Sequence, residues 1–149
     1  MHLTDKVKTI RVENAAAAGT TDVESDVVDM GQSPGFNSVR FIVLFGTITA
    51  NAVTSVKAQQ GDLLAGSDMD DLEDSAVTVA DDDDNQIVIV DVVRPAKQYV
   101  RCVVDRGTQN AVIDGIIAEL YDARDVPVDP DTTTLVGSTK LVTPDEGTA

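Results

Sequence analysis

Polar and apolar positions alternate along most of the chain up to Tyr121, and this alternation predicts a succession of short strands. Lys6 to Val12 alternates charged and apolar residues, the mark of a strand with one wet face. Ala15 to Ala18, closed by Gly19, is too short to nucleate a helix and is expected to be a compact connection. Strand character resumes from Thr21 to Met30 around Val23, Val27 and Val28, and stops at the turn signal Gly31-Gln32-Ser33-Pro34-Gly35. From Phe36 to Thr49 the apolar content is highest. Val39, Phe41, Val43 and Phe45 share one face and Ile42, Leu44 and Ile48 the other, which predicts a central strand covered on both sides. Val53 to Gln60 reads as its antiparallel return in a hairpin.

Gly66 to Asp74 is the one segment with helical character. Ser67 could cap a turn whose early acids suit a helix N-terminus, and Met69 and Leu72 are spaced to share a side. A turn or short helix crossing one end of the sheets is expected there. Ser75 to Ala80 is a short strand, Asp81 to Asn85 a tight polar turn, and Gln86 to Val93 a further strand that Arg94-Pro95 ends, since proline has no amide hydrogen for a ladder. Tyr99 to Asp105 and Ala111 to Tyr121 form a second hairpin-like pair. About seven or eight short strands separated by turn residues predict an all-β fold, a two-sheet antiparallel sandwich of jelly-roll-like form. The expected division is an N-terminal strand or arm over residues 1–20, a sandwich domain over 21–121, and an extended arm or tail over 122–149, which holds Pro127, Pro130 and Pro144 among many Thr and Asp.

Composition sharpens this outline. At 149 residues, 42% hydrophobic, with 3% aromatics and no Trp, the core must be built from Val, Ile, Ala and Leu, which suit strands. The net charge of -15 argues against partnership with nucleic acid or an anionic membrane. Gly61 to Val93 alone carries eleven carboxylates and no Lys or Arg. The start of the chain lacks an apolar signal-peptide region and no run is long enough to span a bilayer, so synthesis and retention in the cytoplasm are expected.

Candidate chemistry is sparse. Asp81-Asp82-Asp83-Asp84 offers hard oxygen ligands for Ca²⁺, but consecutive acids on an extended chain point in different directions and lack the spacing of an EF-hand loop. A solvated turn is the plainer expectation. Cys102 lies inside an apolar run and is expected to act as a small buried hydrophobe, and His2, the one histidine, stands at a terminus. Phosphate-binding glycine motifs are absent, no cofactor is expected, and an enzyme is the least favoured class. Arg94, Lys97, Arg101 and Arg106 follow immediately on the acidic stretch, so they form either a basic docking edge or a set of partners for acids of the same subunit.

Taken from Phe36 to Pro127, the chain resembles the small head proteins of tailed bacteriophages that decorate or cement the capsid. The likeness is carried by Phe36-Asn37-Ser38-Val39-Arg40-Phe41, by Lys57-Ala58-Gln59-Gln60-Gly61-Asp62, by Val88 to Pro95, by Lys97-Gln98-Tyr99-Val100-Arg101, and by Tyr121, Arg124 and Pro127. It implies a virion protein on the outer capsid surface, often a trimer, whose partners are the major capsid protein and its own copies. On that reading Arg94, Lys97 and Arg101 are the expected partner-binding residues, with Leu3 to Val12 and Val126 to Leu141 as arms. A carbohydrate- or Ca²⁺-dependent binding module is the alternative.

Overall fold

The computed structural model describes residues 1–142 and 145–148. It contains eleven strands, a single 3₁₀ turn at Leu3–Asp5, and no α-helix among the described residues. They are β1 (Lys8–Glu13), β2 (Ala16–Gly19), β3 (Val23–Glu24), β4 (Val28–Asp29), β5 (Phe36–Ile48), β6 (Thr54–Gly61), β7 (Asp70–Asp71), β8 (Val77–Val79), β9 (Ile87–Val93), β10 (Tyr99–Arg106) and β11 (Ala111–Ala123). One sheet has the order β1-β11-β5-β9, with β2 also on β11; the other has the order β3-β10-β6-β7, with β4 also on β10 and β8 also on β6. Every pairing is antiparallel.

The short pairs β1/β2, β3/β4 and β7/β8 each fill one outer position of a sheet. Counted by position, the chain passes between the sheets in the order of two interlocked Greek keys, so the sandwich is a jelly roll. Two of the interrupted positions are patched by serine. The Ser25 hydroxyl accepts from the Cys102 amide at 3.0 Å between β3 and β4, and the Ser75 hydroxyl accepts from the Ala58 amide at 3.1 Å between β7 and β8. Each supplies a partner to a backbone group that the broken strand would otherwise leave bare.

The core lies between the two sheets. Phe36, Val39, Phe41, Val43, Val56, Val100, Val104, Ile113, Ile116 and Leu120 are fully enclosed, and Cys102 is buried among them. β5 is central as its composition predicts, flanked by β11 and β9. Of its expected second apolar row, Ile42 and Leu44 are half-buried on the outer face rather than enclosed, while Ile48, beyond the register shifts of the β5/β11 ladder, is buried in the core.

Both expected hairpins need correction. β6 does not pair with β5, and β10 does not pair with β11; each member of these pairs lies in the opposite sheet. The two edges of β5 are taken by β9 and β11, so β6 crosses over to lie between β10 and β7/β8. Gly66 to Asp74 forms turns and the two-residue β7, because Asp70 and Asp71 find ladder partners in Gln60 and Gln59. The alanine run is a strand too: the length of β11 beyond β1 offers it a ladder, with Gly19 opposite Ala111 and Ala16 opposite Ile113. As for the expected arms, β1 is an edge strand, and the segment after β11 runs back along it. Val128 is buried and donates its amide to the Asp5 carbonyl, and the Thr134 hydroxyl accepts from the Arg11 amide at 3.0 Å.

Candidate partner-binding cleft

At one end of the sandwich the start of β5, the β9–β10 connection and the end of β11 converge on a cleft of about 480 Å³. Met30 and Phe36 give it an apolar floor, Asn37 and Gln98 supply amides, and Arg94, Lys97 and Arg124 supply three cations. No carboxylate among the described residues lines it. In a chain of net charge -15 this is a local reversal of sign.

Local backbone chemistry aims the cations. Arg94 closes β9 by donating its amide to the Asn37 carbonyl at 2.8 Å, and it takes a left-handed conformation (φ 53) immediately before Pro95. A bulky residue at positive φ costs about 1–3 kcal/mol, and such strain gathers where a side chain must be directed. Pro95 then frees the chain from the ladder, and the Gln60 side-chain oxygen collects the amides of Ala96 and Lys97 at 3.0 and 3.3 Å. Arg124 donates its amide to the Gly35 carbonyl at 2.9 Å. Its side chain lies across Gly35, whose φ of 87 and lack of a Cβ leave the space.

The cations differ in how far they are already satisfied. Lys97 pairs with Asp62 at 3.2 Å, and the hydrogen bond to that carboxylate raises its pKa above the ordinary lysine value. Arg94 and Arg124 are exposed and have no ion pair among the described residues. Two guanidinium forks free to donate, over an apolar floor, suit carboxylate groups on a protein surface, which they can bind bidentately.

Of the three residues expected to bind a partner, the fold brings Arg94 and Lys97 together and leaves Arg101 apart. Arg101 lies on β10, where its guanidinium donates to Glu24 and to Gln59, both at 2.7 Å. Arg106, which in the sequence looks like part of the same basic edge, is buried and structural. It donates to the carbonyls of Thr21, Ala17 and Ala111 at 2.6, 2.8 and 2.8 Å. Arg124 belongs to the cleft but is distant in sequence. Only the register that sets Ala123 opposite Phe36 brings it there.

The aspartate turn is committed to its own backbone. Asp83 accepts from the Ala80 amide at 2.9 Å, Asp84 from the Ile48 amide and Asp81 from the Asn51 amide. The carboxylates thus finish turns and diverge, and no group of three His, Cys, Asp or Glu is placed to hold a metal among the described residues. Burial pushes the Cys102 thiol up to about 12, so it is a protonated, unreactive group at neutral pH.

No protein family matches the chain, and no curated protein does. Among solved structures the chain is similar to the PBSX exported protein XepA, with a TM-score of 0.54 and 15% identity over 95% of this chain. The chain spans 45% of the length of that protein, and the likeness is one of fold. A second structure, PirA, aligns over 80% of this chain and 96% of its own at 18% identity, with a TM-score of 0.37 that carries no weight.

Proposed function

We propose that this chain is a structural protein of a bacteriophage virion that binds the outer surface of the head and stabilises contacts between major capsid subunits. The observation that carries the reading is the cationic cleft of Arg94, Lys97 and Arg124, a docking point for carboxylates on a surface that elsewhere repels them. The likeness of fold to XepA, a PBSX prophage exported protein, supports a phage setting. A rigid Val/Ile sandwich with its acids used as turn caps suits adhesion, and the overall negative field keeps the protein off packaged nucleic acid. On this reading the chain is not an enzyme and uses no cofactor.

The test is cosedimentation with phage heads assembled without this protein. Wild-type chain should pellet with the heads, and R94E/R124E should lose at least about tenfold in affinity, since each substitution turns an attraction into a repulsion. Circular dichroism of the variant should be unchanged, because both side chains are exposed. Undiminished binding by the variant would refute the role of the cleft. Failure of the wild type to bind heads would refute the function itself.

A further inference from the structure

We propose that β9 is the seat of a twofold contact in which two copies of this chain pair edge to edge through their antiparallel β9 strands. The sheets have four outer positions, and three are interrupted: β1/β2, β3/β4 and β7/β8 are each broken into short pieces. β1 is further covered, since Thr134 accepts from the Arg11 amide and Leu135 lies beside Thr9 and Arg11. Broken and covered edges are the usual protection against unwanted strand pairing. β9 has neither protection. It is an unbroken strand of seven residues paired, among the described residues, only with β5.

The register defines which groups are open. Arg94 donates to Asn37, and Phe45 donates to Gln86, so the even-numbered residues of β9 bond to β5. The amides and carbonyls of Ile87, Ile89, Asp91 and Val93 therefore point away from the sheet, and no group among the described residues bonds to them. The same residues present their side chains outward, with Ile87, Ile89 and Val93 exposed to 57, 46 and 63%. The fourth member of the row, Asp91, is exposed as well and accepts from the Tyr121 hydroxyl at 2.6 Å, so the row is apolar at three of its four places and lies beside an open ladder.

The occupant is specified by charge. The Asp81–Asp84 turn precedes β9, with Asp82 and Asp84 exposed, and Arg94 follows it, exposed and without an ion pair among the described residues. An antiparallel second copy sets each Arg94 beside the acidic turn of the other, so the strand is complementary to itself under a twofold axis. A centre at Asp91 would oppose two carboxylates and is disfavoured. With Val90 at the centre, Ile87 faces Val93, Ile89 faces Asp91, and Arg94 faces Gln86 next to the turn. This twofold replaces the threefold that the resemblance implies. It shares Arg94 with the cleft but does not rest on shell binding, and it is tested on the isolated chain.

Sedimentation equilibrium of the full chain should show a dimer, and Ile89→Lys, at an exposed site, should weaken it by at least about tenfold. Arg94→Glu should weaken it as well, and adding Asp82→Arg should restore it by exchanging the charges. An I87C/V93C variant should oxidise to a covalent dimer, because the register places these positions within disulfide reach between copies while one chain holds them a strand length apart. Cys102 is buried and does not compete. A wild type that stays monomeric at every concentration, as it would if the edge received a strand of a different protein, overturns the proposal. So does an oligomer indifferent to Ile89→Lys, or cross-linking of I87C/V93C no faster than that of Ala18→Cys, an exposed site on β2 at the opposite side of the same sheet.

Discussion

Replacing Arg106 by Met removes the guanidinium that holds the alanine strand and the Thr21 loop to the end of the sandwich. Three carbonyls lose their donor: Ala111, which is buried, and Ala17 and Thr21, which are partly so. A hydrogen bond from a charged donor to a buried acceptor is worth about 1.5–3 kcal/mol, and an acceptor that water can reach regains most of its loss. Counting about 2 kcal/mol for Ala111 and about 0.5–1 for each of the others gives a destabilisation of about 3–4 kcal/mol. Met roughly fills the volume of the aliphatic stem, so the loss reads the polar clamp rather than a cavity. Urea unfolding followed by circular dichroism measures it. With a slope of about 2 kcal/mol/M for a chain of this size, the midpoint should fall by about 1.5–2 M. Arg106→Lys keeps the charge but not the planar fork, and should recover less than half of the loss. A midpoint drop below about 0.5 M for the Met variant, or a Lys variant equal to wild type, would show that the carbonyl clamp is not what holds this end together.

Cys102, with its thiol pushed up to about 12 by burial, should resist aromatic disulfide reagents at pH 8 in the native protein and react at once in urea; rapid native labelling would contradict its enclosure. Asp71 and Asp68 should both titrate below the ordinary value of 3.8. The Lys57 ammonium and then the Gln59 amide hold Asp71 down, and the backbone amide of Asp62 and then that of Leu63 hold Asp68 down. Because their folded pKa values are depressed, the stability they contribute is present above 3.8 and is lost as pH falls through the lower folded values. Carboxyl chemical shifts followed through an acid titration give the midpoints directly, and values at or above 3.8 would exclude these contacts in solution.

The main strands were legible because a period of two records which face of a strand is buried. Phe36–Ile48, Ile87–Val93, Tyr99–Arg106 and Ala111–Ala123 all fall where the alternation predicts them. Period two does not record which neighbour shares the ladder, so two connections that read as hairpins are crossovers between sheets. The helical reading of Gly66 to Asp74 rests on a Ser67 cap, early acids and the spacing of Met69 and Leu72. It lost to local hydrogen bonding: Asp68 accepts from the amides of Asp62 and Leu63 at 2.7 and 3.2 Å and bends the chain into a loop. At the cleft, Arg94 and Lys97 were legible as neighbours in sequence. Arg124 was not, because its place depends on a pairing across the sheet, and Arg101 and Arg106 look the same as Arg94 until their partners are known.

The acidity of the chain follows in part from its turns. Asp68, Asp81, Asp83, Asp84 and Asp131 each accept from backbone amides that a strand end or loop leaves unpaired, so these carboxylates complete local structure before they contribute to any field. The field they leave behind then has a consequence for association. Two bodies of net charge -15 repel at any orientation that does not bring a cation or an apolar row into contact. The cleft lined by Arg94, Lys97 and Arg124 supplies the cations, and the free edge of β9 supplies the apolar row. Repulsion between the acidic faces makes these two surfaces more selective than their size alone would, since an encounter that sets acid against acid is disfavoured before it can settle.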